Sequence, residues 1–284
     1  MNFVPWYSKL DKWLGRGSYY WLRSKLDPER TYFQWEYADI LERLVTPQTR
    51  WLDGGCGHQI LEVRLKEQER RLVDRAEFVV GCDPFFLSIS KHRSITNRVM
   101  CSLDDLPFLA GSFNLVTMNM VVEHLADPAK VFQEIARVLK PGGIVIFVTP
   151  NRASYYVRLA DLARAIIPRR IAFKLIRYLE SREPEDVFPT HYRANTRKQV
   201  ERIMCAVGME RAQMTFMRGR PFFFFFAPLS ILEMLAVRFL ALLGFQETIS
   251  AGFMAVYASR TTGISTNSSA VTETLTVPVD RRGL

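Results

Sequence analysis

Residues 48 to 150 alternate short apolar runs with stretches of helical spacing, and this alternation restricts the fold more than any other feature of the chain. The apolar runs are RWLD at 50–53, FVVGCD at 78–83, RVMCS at 98–102, FNLVTMNM at 113–120 and IVIFVTP at 144–150. The clearest helix between them runs from Pro128 to Lys140. Asp127 is its N-cap, Val131, Ile135, Val138 and Leu139 fall on one face, and Pro141-Gly142-Gly143 ends it. Strands that alternate with helices make βαβ units, and such units assemble into a parallel sheet covered on both faces.

Upstream, Phe33, Tyr37, Ile40, Leu41 and Leu44 predict an amphipathic helix starting near Pro28 and ending before Pro47, within an aromatic and basic extension at 1–46. Downstream of Pro150 come a basic, helix-rich stretch to about Pro189 and a helix from Thr196 to Val207. Two more strand candidates, 209–216 and 252–260, bracket a very apolar segment. The expected fold class is α/β, a doubly wound, mostly parallel sheet of seven strands in one domain at 47–260. That domain carries a helical lid insertion at 152–190 and an apolar insertion at 221–245, before the last strand. The tail at 261–284, rich in Ser and Thr, is expected to be disordered.

A chain of 284 residues with 48% apolar and 24% charged side chains can bury a core, which excludes disordered and fibrous classes. Cys56, Cys82, Cys101 and Cys205 are too scattered for a disulfide framework or a structural zinc site, so a reducing compartment fits. The N-terminus has no apolar run of signal-peptide length before its first charges and reads as unprocessed and cytosolic-facing. A net charge of +9 asks for an anionic partner, nucleic acid or a membrane surface.

The most informative local segment is WLDGGCGHQ, 51–59, directly after the first strand. Glycines there let the backbone turn sharply and approach a ligand, and the next helix start offers unpaired N–H groups. A plain tight connection would look the same when taken alone. Asp83, however, closes the second strand, where a carboxylate can accept hydrogen bonds from ribose hydroxyls. LDDLPFLAGSFNLVTMNMVVEHL at 103–125 and the Lys140-Pro141-Gly142-Gly143 turn then follow.

With these segments in this order the sequence resembles the class I S-adenosylmethionine-dependent methyltransferases, in particular the small-molecule group that includes ubiquinone and menaquinone biosynthetic enzymes. The likeness covers roughly 48–150, with weaker echoes at HYRANT, 191–196, and the last strand. It implies a Rossmann-like methyltransferase fold with S-adenosylmethionine as cofactor. Asp53, Gly55 and Gly57 match the turn that holds the methionine part, and Asp83 matches the ribose carboxylate. Leu103 and Asp104 match the segment lining the adenine, and Asn119 and Met120 match the strand end beside the sulfonium. Three positions depart from the family pattern: Gln59 replaces the third glycine, Ser102 stands where an Asp is common, and Asn114 replaces the usual Asp. They keep a second reading open, a membrane-attached scaffold with this fold and no catalysis. A dinucleotide-binding domain fits less well, because Ile60 stands where G-x-G-x-x-G needs its last glycine.

An oxygen or nitrogen acceptor can require a general base, and histidine suits neutral pH. His58 lies in the glycine turn and His92 in a basic run, so His124 and His191 are the candidates. Relatives with E-x-x-E-H bind magnesium, but the match extends only to Glu123 and His124, with Met120 at the first acidic position, so no metal is expected. The plainer reading of Glu123-His124 is a hydrogen-bond network supporting the cofactor loop, and of His191 a surface residue beside the next helix.

Residues 152–182 carry six of the nine surplus positive charges. With their apolar spacing they read as a basic amphipathic, membrane-surface element, against the alternative of a solvated lid face. In the second insertion Pro228 starts a helix of about 15 residues, too short to span a bilayer. Ser230, Glu233, Arg238 and Ala241 fall on one side of it, and Leu232, Leu235, Phe239, Leu242 and Leu243 on the other. Packing on the sheet or in a dimer would also account for that stripe. Five consecutive phenylalanines make a poor phosphate groove, so nucleic acid is disfavoured. The expected protein is a methyltransferase acting on a small, lipophilic acceptor, with oxygen as the first choice of methylated atom. It is expected to be cytoplasmic and peripherally attached to the inner membrane face, its oligomeric state open.

Overall fold

The computed structural model describes residues 25–26, 33–166, 189–219, 221–223 and 227–260. Expectations for most of the N-terminal extension, Pro28 as a helix start, the rest of the lid at 167–188 and the tail lie outside those residues. Each of the seven expected runs is a strand: β1 Arg50–Gly54, β2 Phe78–Asp83, β3 Asn97–Met100, β4 Phe113–Asn119, β5 Leu139–Pro150, β6 Met209–Met217 and β7 Gly252–Ser259. They form one sheet in the order β3-β2-β1-β4-β5-β7-β6. The pairs β1/β2, β1/β4, β2/β3 and β4/β5 are parallel. Trp51, Leu52, Cys82, Val116, Val145 and Phe147 are buried, as the near-continuous apolar runs of doubly covered parallel strands require.

The described residues include the helices α1 Phe33–Leu44, α2 Lys66–Arg75, α3 Phe86–Ser90, α4 Pro128–Val138, α5 Tyr155–Ile166, α6 Arg197–Ala206, α7 Ala227–Leu242 and α8 Gln246–Ile249. Single 3-10 turns occupy Val63–Leu65 and Val122–His124. Asp127 caps α4 by accepting from the Lys130 N–H at 3.2 Å, and Val131, Phe132, Ile135 and Val138 are buried. This helix stops at Val138 rather than Lys140, because Leu139 already pairs with Phe113 of β4. Ile144 pairs with Leu115, so the Lys-Pro-Gly-Gly segment is an irregularity inside β5 rather than the end of the helix. At α6 a full capping box joins Thr196 and Gln199.

The chain packs into two compact units. The larger holds the described residues of 32–150, 188–215 and 253–284; the smaller holds those of 1–31, 151–187 and 216–252. Strand order reverses between β1 and β4, and in doubly wound sheets ligands bind at the carboxyl ends of the strands flanking such a reversal. Gly54, Asp83, Asn119 and Pro150 are the last residues of β1, β2, β4 and β5, so the larger unit carries the candidate residues on one sheet edge.

Candidate active site

The chain leaves β1 through Gly55 and Gly57, with φ of 66° and 52°. The N–H groups of Gly55 and Cys56 donate to the Cys82 carbonyl at 2.8 and 3.1 Å, which folds the turn over the end of β2. Asp83 completes the stitch: one carboxylate oxygen accepts from the Gly57 N–H at 3.0 Å and the other from the Phe85 N–H at 2.8 Å. A side chain at Gly57 would meet nothing within 4 Å, whereas at Gly55 a Cβ would lie 2.6 Å from the Val121 side chain. Gly55→Ala combines that clash with an unfavourable φ and should destabilise the fold by about 1–3 kcal/mol, measured by chemical denaturation.

Asp53 is buried at the end of β1, opposite Thr117 of β4. The Trp51 indole N–H donates to the Thr117 hydroxyl oxygen at 2.7 Å, and that hydroxyl donates to the Asp53 carboxylate at 2.5 Å. Burial, above all, pushes the Asp53 pKa up to about 8; the Thr117 hydrogen bond pulls against it, and the carboxylates of Glu69 and Asp83 add to it. Burial likewise raises the Tyr37 phenol of α1, with Asp53 as the next contribution.

Asn119 is held by α1. Its amide donates to Gln34 Oε1 at 3.0 Å and to the Ile60 carbonyl at 3.2 Å, while the Gln34 amide donates back at 3.3 Å. Met120 follows with φ of 59°, its N–H bound to the Val148 carbonyl at 2.9 Å and its side chain 36% exposed. Such a φ in a non-glycine residue is strained and concentrates at functional sites. Leu103 is buried, 2.9 Å from where a Cβ on Gly54 would stand. Asp104 is turned to α4, accepting from Ser102 Oγ at 2.5 Å and pairing with Lys130 at 3.4 Å, and the Ser102 bond chiefly holds its pKa down.

Two departures from the family pattern have structural reasons. The Asn114 side-chain oxygen accepts from the Arg50 N–H at 2.7 Å while its amide donates to the Gln48 carbonyl at 3.0 Å, which a carboxylate could not do. Gln59 accepts from Arg93 at 3.0 Å.

The segments bearing both candidate bases cross. His124 Nδ1 lies 2.9 Å from the Pro189 carbonyl, so this nitrogen carries the proton and donates it. The N–H groups of His191 and Tyr192 both donate to the Glu123 carbonyl, at 2.8 and 3.1 Å. Beneath the crossing, the buried Glu123 carboxylate accepts from Thr149 at 3.1 Å, and Asn195 donates to Thr149 at 2.7 Å and to the Pro150 carbonyl at 3.2 Å. Sequence reasoning missed Gln34, Thr117, Thr149 and Asn195. His92 is buried, accepts from the Ser94 and Ile95 N–H groups, and is lowered by burial to about 4. Among the described residues no cluster of three or more His, Cys, Asp or Glu is arranged to hold a metal.

The edge fits a cationic nucleoside. Gly57 presents open space, each Asp83 oxygen has a lone pair left for a hydroxyl donor, and the Glu69 and Asp83 carboxylates both act to raise the buried Asp53 carboxyl, a field that favours a cation. A doubly wound sheet with a glycine turn after β1 and an acid closing β2 is a Rossmann-like nucleoside-cofactor domain. The family model described as "Methyltransferase domain" matches residues 30–213, and the chain belongs to that family, whose methyl donor is S-adenosylmethionine.

Among similar proteins, the ubiquinone biosynthesis O-methyltransferase of Xanthomonas campestris pv. campestris is 25% identical over 154 residues, covering 52% of this chain and 62% of the relative. That of Hahella chejuensis is 35% identical over 121 residues, covering 40% of this chain and 48% of the relative. The aligned part therefore spans about half to three-fifths of these relatives. A solved SAM-dependent methyltransferase from Methanosarcina mazei shares the fold, with a TM-score of 0.50, 16% identity, and coverage of 82% of this chain and 99% of the other.

Proposed function

We propose that the chain transfers a methyl group from S-adenosylmethionine to an oxygen of a small, lipophilic acceptor at a membrane surface. The observation that carries this reading is the glycine turn stitched by Asp83 on the same sheet edge as the crossing of the 123–124 and 189–192 segments. The ubiquinone O-methyltransferase relatives favour oxygen and a lipophilic acceptor. The basic 152–182 segment calls for an anionic surface, the phenylalanine run at 222–226 favours a membrane over nucleic acid, and residence at the cytoplasmic membrane face follows from that reading. No helix among the described residues is long and apolar enough to cross a membrane.

The bound cofactor supplies an already activated methyl group on its sulfonium. The protein's part is to bind, align and exclude water. In this reading Gly55 and Gly57 bring the backbone close and Asp83 accepts from ribose hydroxyls. Leu103 and Asp104 border the base, and Asn119 and Met120 stand beside the reacting centre. His191 accepts the acceptor's proton, with His124 as the nearby alternative. Incubating the chain with a methyl-labelled donor and a membrane lipid extract tests the reaction, and no incorporation together with no calorimetric donor affinity would overturn it. His191→Ala should lower turnover about 100-fold and remove one limb of the pH–rate profile. Full turnover with an unchanged profile would remove His191 from the role.

A further inference from the structure

Helix α7 is inverted relative to a helix that buries its apolar face and turns its polar face to water. Ser230 and Met234 face inward, 0% and 2% exposed. The Glu233 carboxylate is used up inside the smaller unit, accepting from the Tyr155 hydroxyl at 2.5 Å and from the Phe222 and Phe223 N–H groups at 2.6 and 2.9 Å. The opposite side carries Leu232, Leu235, Phe239 and Leu242 in one stripe, 61%, 46%, 62% and 81% exposed. Leu229 and Leu243 widen it and are exposed as well. Residues 227–245 contain two charges, Glu233, which is bound inward, and Arg238, which is exposed at the stripe's edge. An apolar stripe usually marks core, but here the polar side of the helix has taken the core.

We propose that this face of α7 docks on an anionic lipid bilayer, with the helix lying in the plane of the membrane and the Leu232–Leu242 stripe at the boundary between headgroups and acyl chains. The inference rests on the membrane-surface reading above and names the element that makes the contact. Charge decides between a bilayer and a second copy. Two chains of +9 repel each other across an apolar seam that has no acid to offset them, whereas anionic lipid attracts the chain. In the same unit Arg152 and Arg158 are exposed, against Asp161 on the same segment, and the net positive charge adds to that attraction. Sixteen residues give about 24 Å of helix, which suits lying along a surface and is too short for a span.

The test is co-sedimentation of the full chain with vesicles of mixed phosphatidylcholine and phosphatidylglycerol. The double variant Leu235→Glu/Phe239→Glu should lower the partition coefficient by about tenfold or more, and phosphatidylcholine alone should bind the unaltered chain about tenfold more weakly. Both side chains are exposed, so melting temperature and calorimetric S-adenosylmethionine affinity should not change. Vesicle binding by the double variant equal to that of the unaltered chain would overturn the proposal. So would a dimer of the unaltered chain in size-exclusion chromatography that the variant converts to monomer, since a second copy would then cover the face. Vesicle binding lost in the variant, in a chain with no donor affinity, would sink the methyltransferase reading and support the docking surface.

Discussion

Replacing Asp83 by alanine is expected to weaken S-adenosylmethionine binding at least about 100-fold, measured by calorimetry. The carboxylate serves two turns at once, accepting from Gly57 of the first and Phe85 of the second. Hydrogen bonds to a charged acceptor are worth about 1.5–3 kcal/mol each, and both of these part-buried N–H groups lose that acceptor. The loss therefore removes both the proposed ribose acceptor and the tie that fixes the Gly57 backbone. Asp83→Asn keeps one acceptor oxygen but turns an NH2 group toward an N–H donor, so it should fall between, about tenfold weaker. Both variants should be compared at a temperature where circular dichroism shows them folded. Affinity for folded Asp83→Ala within threefold of the unaltered chain would remove Asp83 from the cofactor site.

The parts of this site that were legible in sequence are those a local pattern encodes. A doubly covered parallel strand is a continuous apolar run, which made β1, β2, β4 and β5 plain in sequence, and the turn after β1 announces itself by its glycines. Asp83 was legible for the same reason, as a lone acid closing an apolar run. What stayed hidden joins distant positions. Gln34 and Asn119 are 85 residues apart and Thr117 and Asp53 are 64 apart, and no periodicity links them. Thr117 left one usable signal, a polar residue in the middle of an apolar β4, which a buried parallel strand tolerates only with a partner. For α7 the wheel showed two faces but not which one meets the protein. That choice was made by Glu233, whose partners Tyr155, Phe222 and Phe223 come from other segments of the smaller unit.

Asp53→Asn should stabilise the cofactor-free protein, and increasingly so as pH rises. The carboxyl titrates near 3.8 in the unfolded chain and near 8 in the fold, mainly because burial disfavours its charged form. Between those values the folded state keeps a proton that the unfolded state releases. The contribution of Asp53 is thus fully present below about pH 4 and is lost as pH climbs toward 8, at up to about 1.4 kcal/mol per pH unit. Over the whole interval this amounts to on the order of 5 kcal/mol. Asparagine keeps an oxygen for the Thr117 hydroxyl and does not titrate, so the variant and the unaltered chain should unfold alike near pH 4 and diverge steadily up to pH 8. Urea unfolding across that range checks the slope, and parallel curves would show that Asp53 is already ionised in the fold. A cationic cofactor on this edge favours the carboxylate, so binding at pH 7 should release part of a proton from the unaltered chain and none from Asp53→Asn. Calorimetry in two buffers of different ionisation enthalpy reads that difference, and it ties the buried acid of β1 to the positive charge of the ligand it would face.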